Sequence, residues 1–386
     1  MKKLILAPLA LAALTASMGA FAQTSSVTLY GQVAAAIEYR DHQGAGAGGN
    51  AWSLGNNEFY VSNFGLRGSE DLGGGMKAIF RLESGFNTDS GTNTTAVKYW
   101  NRQSFVGLDM GAVGTVTLGR QFSAAVDRVV RTLDPYNAGG QGLTTTPIAL
   151  FGVNRFVANG TTYVANDNRT DDSVKYRVSL PSMGLEGGAS YGYDDGAGRS
   201  YSADVAQTTK EYAIGAAYQR YESPTALSNG TVPKATTFLI GGNVTFGGTF
   251  KVYLSYVDNK LDSATALTGP STHNKITILG ARYTVAPNID LSATWYGDKG
   301  TDLRGPTGNA VAGRDGKKNT YIAAVDYYLS KRSLINVAYF RNDLKDGYAL
   351  DATSATALSG ATHAGGIAPF GFSAFSGFMV GIRHAF

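Results

Sequence analysis

SVTLYGQVAAAIEYR, residues 26–40, decides the fold, because its side chains change character at every second position. Val27, Leu29, Val33, Ala35, Ile37 and Tyr39 fall on one face. Thr28, Tyr30, Gln32, Glu38 and Arg40 fall on the other. A period of two is that of a β-strand with differently solvated faces. Residues 76–86 repeat the pattern, with Met76, Ala78, Phe80, Leu82 and Phe86 opposed to Lys77, Arg81 and Glu83. A soluble antiparallel sandwich alternates in the same way, so a second observation has to choose between the two.

That observation is the connection pattern. Very short turns at Asp71 to Gly74, Gly111 to Ala112, Gly247 to Gly248, Ala286 to Pro287 and Lys331 to Arg332 alternate with longer polar loops. The loops run through Asp41 to Gly55, Ser123 to Asn168, Leu261 to Thr272, Gly300 to Gly316 and Lys345 to Gly371. Short turns at one end and long loops at the other describe an outer-membrane barrel, whose spanning strands need roughly 9–11 residues. Fifteen strands are plain. Short turns and long loops keep to opposite ends only if Arg199 to Ala206 is one more strand, turning at Gln207 to Lys210, which makes sixteen. An even number lets the last strand, with Phe378, Val380, Ile382, His384 and Phe386 on one face, close antiparallel against the first.

The ends and the composition agree. Lys2 and Lys3, an apolar run from Leu4 to Leu14 and the small-residue ending Ala20-Phe21-Ala22 form a secretory signal, expected to be cleaved before Gln23 and not kept as a membrane anchor. Past it, no stretch approaches the roughly 20 apolar residues of a transmembrane helix. The chain has 50 Gly, 22 Tyr and 18 Phe, only 16% charged residues, and no cysteine for disulfides or thiolate metal sites. There are 33 Lys and Arg against 29 Asp and Glu, and without Lys2 and Lys3 the net charge is about +2. Nucleic acid is not an expected partner of so balanced a chain.

The residues also carry a resemblance. Val27 to Gly31, Phe64-Gly65-Leu66-Arg67-Gly68-Ser69-Glu70-Asp71-Leu72-Gly73, Leu118-Gly119-Arg120-Gln121, Leu133-Asp134-Pro135, Leu329-Ser330-Lys331-Arg332 and the terminal Gly381-Ile382-Arg383-His384-Ala385-Phe386 occur in this order. In this the chain resembles the trimeric general diffusion porins of Gram-negative bacteria, in their β-proteobacterial and neisserial form, over nearly its whole mature length. The resemblance implies an all-β fold: a 16-stranded antiparallel transmembrane β-barrel with a long third external loop folded into the lumen, here residues 123–170. It also implies a homotrimer and a passive channel for ions and small hydrophilic solutes, with no enzymatic activity and no cofactor. Two departures stand out. Asn63 occupies a place where an arginine is usual, and Asp172-Ser173-Val174-Lys175-Tyr176 carries an acid in place of an amide.

Such a pore needs fixed charges at a narrow point. Parity sends Arg169, Asp171, Lys175 and Arg177 inward, opposite Val174, Tyr176, Val178 and Leu180. Arg67 is inward in a strand whose Tyr60, Phe64 and Leu66 are read as outward, and Arg40, Lys77 and Arg81 follow by the same argument. Alternation from Val116 and Leu118 would aim Arg120 at lipid. The resemblance places it in the pore wall, which requires a bulge. Asp127 and Asp134 of the third loop, with Glu83 on the wall, supply the facing acids, and the excess of arginine suggests a modest anion preference. Tyr30, Tyr39, Phe105, Tyr191, Tyr283, Trp295, Tyr339 and Phe386 are candidates for interfacial girdles. Outer-membrane lipid and lipopolysaccharide are expected neighbours, although no residue names a site for them.

Other signals carry less. Gly44 to Gly49 matches a dinucleotide fingerprint with no helix after it, and Gly188 to Gly192 matches a nucleophile elbow inside an alternating strand. The four histidines have no metal-like spacing. A substrate-specific channel is the main alternative. A barrel hydrolase would need a serine, a histidine and an acid together, and a plugged structural barrel would conduct nothing.

Overall fold

A computed structural model describes residues 25–43, 49–94, 98–136, 155–158, 161–164, 169–193, 198–222, 232–262, 270–303, 312–350 and 373–386. The expected signal, residues 1–22, and much of the loop 123–170 lie outside the described residues. The strands are β1 Ser25–Gln43, β2 in two arms, Gly49–Asn56 and Asn63–Gly73, β3 Met76–Gly85, β4 Gln103–Asp109 and β5 Thr115–Phe122. They continue as β6 Arg169–Leu180, β7 Leu185–Gly192, β8 Arg199–Thr208, β9 Tyr212–Glu222, β10 Lys234–Phe246 and β11 Phe250–Leu261. The last five are β12 Thr272–Ala286, β13 Ile289–Thr301, β14 Gly316–Tyr328, β15 Ser333–Asp346 and β16 Ala374–Ala385. Both arms of β2 pair with β1, so the hydrogen-bonded sheet is a 16-stranded antiparallel barrel.

The barrel closes where β1 meets β16, from Gln32 opposite Ala385 to Arg40 opposite Gly377. Phe386, the last residue, exchanges backbone hydrogen bonds with Gly31 at 3.3 and 3.0 Å. Each unpaired backbone group in hydrocarbon costs several kcal/mol, so closure is the condition for spanning.

Burial is inverted relative to a soluble protein. Val27, Leu29, Ile37, Ile214, Leu254, Leu279 and Ile382 each leave half or more of their surface exposed, while Ser202, Thr237, Ser255, Thr320 and Asn342 of the opposite parity are buried. A sheet with its apolar face outward and its polar face inward belongs in lipid. Most of the expected girdle is outward: Tyr39 stacks on Phe378 and meets Trp52 at a tilt, and Phe250 meets Phe246 and Tyr283 at the short-turn end.

Several sequence expectations change. The sequence reads residues 41–55 as loop, yet β1 runs to Gln43 and Gly49–Asn56 is strand, because Trp52 and Leu54 continue the outward face. Tyr30 has inward parity, opposite Leu29, and its hydroxyl donates to Glu83 at 2.8 Å. Phe105, between the outward Ser104 and Val106, shares the inward row of Arg81. Neither aromatic can join a girdle. Gly188 to Gly192 lies wholly within β7, paired on both sides, with no strand-to-helix turn.

Because Leu254 lies near the middle of the outward apolar band, Leu254→Arg is expected to lower folding stability by about 2–4 kcal/mol. The measurement is a guanidinium titration of the folded barrel in lipid. Thr237→Arg on the inward face should cost clearly less.

Candidate pore lining and the segment held against it

The chain leaves β5 at Phe122 and turns at Ser123, whose hydroxyl caps a short helix, α1 Ala124–Arg128, by accepting from the Val126 amide at 3.3 Å. A π-helical turn, Val129–Leu133, follows. So short a helix leaves most of its backbone groups without internal partners. The inward parity of the wall supplies them: Ser202 Oγ accepts from the Ala125 amide at 2.7 Å, and Asn243 and Ser255 donate to the Thr132 and Leu133 carbonyls at 3.0 and 2.8 Å. Val126, Val129 and Leu133 pack with Leu239, Val257, Ile276 and Tyr296, inward residues of β10 to β13. Tyr296 donates to Asp134 at 2.6 Å, and Tyr136 donates to the Ile322 carbonyl at 3.2 Å. Burial pushes the Tyr136 phenol up to about 12. With the Ser123 hydroxyl also donating to Gln219 of β9 at 2.7 Å, the described segment 123–136 is bonded to β8, β9, β10, β11, β13 and β14.

Charge fixes its root. Arg128 is fully buried and bonds Asp204 at 2.5 Å, Glu186 at 2.7 Å and Thr132 at 3.1 Å. Arg177 reaches Asp204 at 2.9 Å and Asp127 at 3.3 Å, and Lys175 reaches Asp127 at 2.9 Å. Buried ions survive only when every charge is paired and hydrogen-bonded, which this group achieves across β6, β7, β8 and α1. Lys175 and Arg177 therefore have the inward direction that parity predicts, and Asp127 faces them. Asp134 is 1% exposed on the Tyr296 hydroxyl, where it holds the segment to the wall and does not face the open bore.

The remaining candidates form three groups. On β3, Glu83 accepts from Arg81 at 2.5 Å and from Arg102 at 2.6 Å, with Arg67 and Arg81 both over the Tyr30 ring. Arg67 and Lys77 are exposed, and among the described residues neither has a carboxylate within ion-pair distance. On β5, Gly119 has φ +124°, and the register slips between Gly119 and Gln121. A Cβ at Gly119 would sit 2.3 Å from the Ser104 carbonyl, so glycine is required there. The bulge turns Arg120 inward, 8% exposed, donating to the Asn101 carbonyl at 2.8 Å and to Asp171 at 2.6 Å, with Lys98 on the same carboxylate. Simple alternation, which aimed Arg120 at lipid, fails for this reason. Arg169 stacks over Phe122, 4.6 Å from the ring centre. The third group is Arg40, buried with Glu38 and Glu58 and 5.6 Å from the Phe340 ring centre.

Tyr60 does not face outward as alternation implied. Between the arms of β2, residues 57–62 leave the strand: Asn57 Oδ1 accepts from the Phe59 and Tyr60 amides at 3.0 and 3.3 Å, and Asn63 Nδ2 donates to the Val61 carbonyl at 2.8 Å. Tyr60 then donates to Asp326 of β14 at 2.7 Å, and Phe59 meets Tyr136 edge-on at 5.1 Å. Where the resemblance leads one to expect an arginine, Asn63 closes this turn.

Sequence reasoning missed Lys98, Arg102, Arg128, Glu186, Asp204 and residues 57–62. Only Asp204 had a usable signal, since Ser200, Ser202 and Asp204 alternate with Tyr201, Ala203 and Val205. Among the described residues no group of three His, Asp or Glu side chains is placed to hold a metal ion.

These features meet known proteins in three ways. The family model for Gram-negative porins matches residues 9–347. Outer membrane porin protein 32 of Delftia acidovorans is 28% identical over 98% of this chain and 99% of its own length. An outer membrane porin protein of Bordetella pertussis is 37% identical, but over 36% of this chain and 38% of its own length. Among solved structures, the anion-selective porin from Comamonas acidovorans superposes with a TM-score of 0.75 at 24% identity, covering 94% of this chain and all of its own. The trimer form of OmpT from Vibrio cholerae gives 0.66 at 18% identity over 94% of this chain, so both structures speak for the fold alone. A closed barrel with its apolar face outward, a polar inner wall and a match over most of its length places the chain in the Gram-negative porin family of the bacterial outer membrane.

Proposed function

We propose that the barrel is a water-filled channel for passive diffusion of ions and small hydrophilic solutes, weakly preferring anions, and not an enzyme. The observation that carries this is the clamp of Lys175 and Arg177 on Asp127, which holds a segment of the third loop against the inner wall. On this reading residues 123–170 fold into the bore as the constriction, residues 57–62 narrow it from the other side, and the signal 1–22 is removed on export.

Most candidate charges are paired: Arg40 with Glu38, Arg81 with Glu83, Arg120 with Asp171, Lys175 and Arg177 with Asp127. Paired charges orient solutes by their local field but add little net potential. The exposed Arg67 and Lys77 then tip the balance toward anions. A homotrimer is the expected assembly, in keeping with the trimer form recorded for the Vibrio cholerae relative.

In a planar bilayer under a salt gradient, single-channel steps in groups of three and a reversal potential of the sign for anions are expected. Arg67→Glu with Lys77→Glu should move that potential toward cations. A silent bilayer with folded protein would sink the channel reading. Arg128→Met leaves Glu186 and Asp204 short of a buried cation and should cost about 3–5 kcal/mol in guanidinium titrations. It should also make the open current noisier as the loop loosens.

A further inference from the structure

The outward face carries a group of charges that pore function does not use. Lys275 of β12, Lys299 of β13, Lys317 of β14 and Lys345 of β15 stand in one register row, each the direct cross-strand partner of the next. All four are exposed and share the outward parity of Leu279, Trp295, Tyr321 and Tyr339. With strands about 4.8 Å apart, the row spans roughly 15 Å. Like charges directly opposite one another destabilise a sheet. Among the described residues no carboxylate lies within ion-pair distance of any of the four: Asp258, next in the row beside Lys275, makes no ion pair with it, and Asp343 is held by Arg341 at 2.8 Å. The row lies toward the long-loop ends of its strands, the exterior side in outer-membrane barrels.

Directly beneath it, toward the middle of the membrane, lies an apolar recess of about 430 Å³. Ala281, Ala293 and Ala323 make it shallow-walled, and Leu279, Trp295, Tyr321 and Tyr339 stand around it. The indole of Trp295 explains why it is open. It lies over Gly297, where a Cβ would meet the ring at 2.3 Å, and its Nε1 donates to Asn319 at 3.0 Å. The ring is therefore folded toward the lysines and away from Ala293. Lys299 stands four positions along β13 from Trp295, roughly 13 Å along the strand and about 10 Å in depth for a strand tilted by about 40°, about the depth between a lipid headgroup and the upper part of its chains.

We propose that this face is a binding site for an anionic lipid of the outer leaflet, one with several phosphates and several acyl chains. The phosphates lie on the row Lys275, Lys299, Lys317 and Lys345, and one chain fills the recess over Ala281, Ala293 and Ala323. Lysine is suited to phosphate as a point charge that needs no fixed geometry. A charge row without a greasy recess would take any polyanion, and a recess without charges would take any chain. Together they select a phosphorylated lipid.

The test is native mass spectrometry of the full-length barrel in zwitterionic micelles, titrated with bisphosphorylated lipid A, with single-channel conductance showing that each variant is folded. Wild type should retain the lipid. K275Q/K299Q/K317Q/K345Q should bind at least about tenfold more weakly, and replacement of all four by arginine should restore binding. Ala293→Trp with Ala323→Trp, which fills the recess, should weaken lipid A while leaving the lysines in place. Equal binding by wild type and the glutamine variant would overturn the proposal. So would displacement of the lipid by millimolar inorganic phosphate, which would mark a site for the bare anion, or a loss of trimer in the recess-filled variant, which would mark an interface between copies of the chain.

Discussion

A backbone in hydrocarbon has no water to bond, and that constraint governs everything else here. Each strand must find both neighbours within the chain, which is why β1 takes β16 on one side and both arms of β2 on the other. Once the sheet is closed, its outer parity is given over to lipid and its inner parity becomes the only place where polar side chains are at ease. Porin chemistry follows from this inversion. The inner wall is rich in hydroxyls and amides because nothing else there can be solvated, and those same groups are available to bind a loop.

The segment 123–136 makes use of that wall. Its helix is too short to satisfy itself, so Ser202, Asn243 and Ser255 complete the hydrogen bonds that a longer helix would make internally, while Gln219 accepts from the Ser123 hydroxyl. Arg128, fully buried, draws Asp204 and Glu186 toward it, and Lys175 and Arg177 answer Asp127. The Gly119 bulge opens the way: by shifting register at the end of β5, it turns Arg120 inward at the point where the loop departs. Positioning and electrostatics are here one structure.

Much of this is legible in the sequence, for a physical reason. Period-two alternation is set by the local backbone, so the sixteen strands, including the short β8, and the direction of Lys175 and Arg177 follow from neighbours in the chain. What fails is whatever breaks the period locally or is decided at long range. The bulge at Gly119 and the inward turn at residues 57–62 each interrupt the alternation, and so Arg120 and Tyr60 point away from the face that counting assigns. Tyr30 looks like a girdle residue by type, but its parity is the better guide. The partnership of Arg128 with Asp204 joins positions 76 residues apart and depends on which strand the loop crosses, a matter of register that no local pattern contains.

The seam between Gly31 and Phe386 has a bearing on how the protein is made. The first strand meets its second partner only through β16, at a separation of more than 350 positions between Gln32 and Ala385. Contacts this distant in sequence slow folding, because the loop-closure entropy precedes any reward. Until β16 pairs with it, β1 presents an open edge with alternating apolar side chains, the kind of surface that aggregates in water. Removing the residues of β16 that pair with Gln32 to Arg40 would therefore open the seam along β1, at the opposite end of the polypeptide.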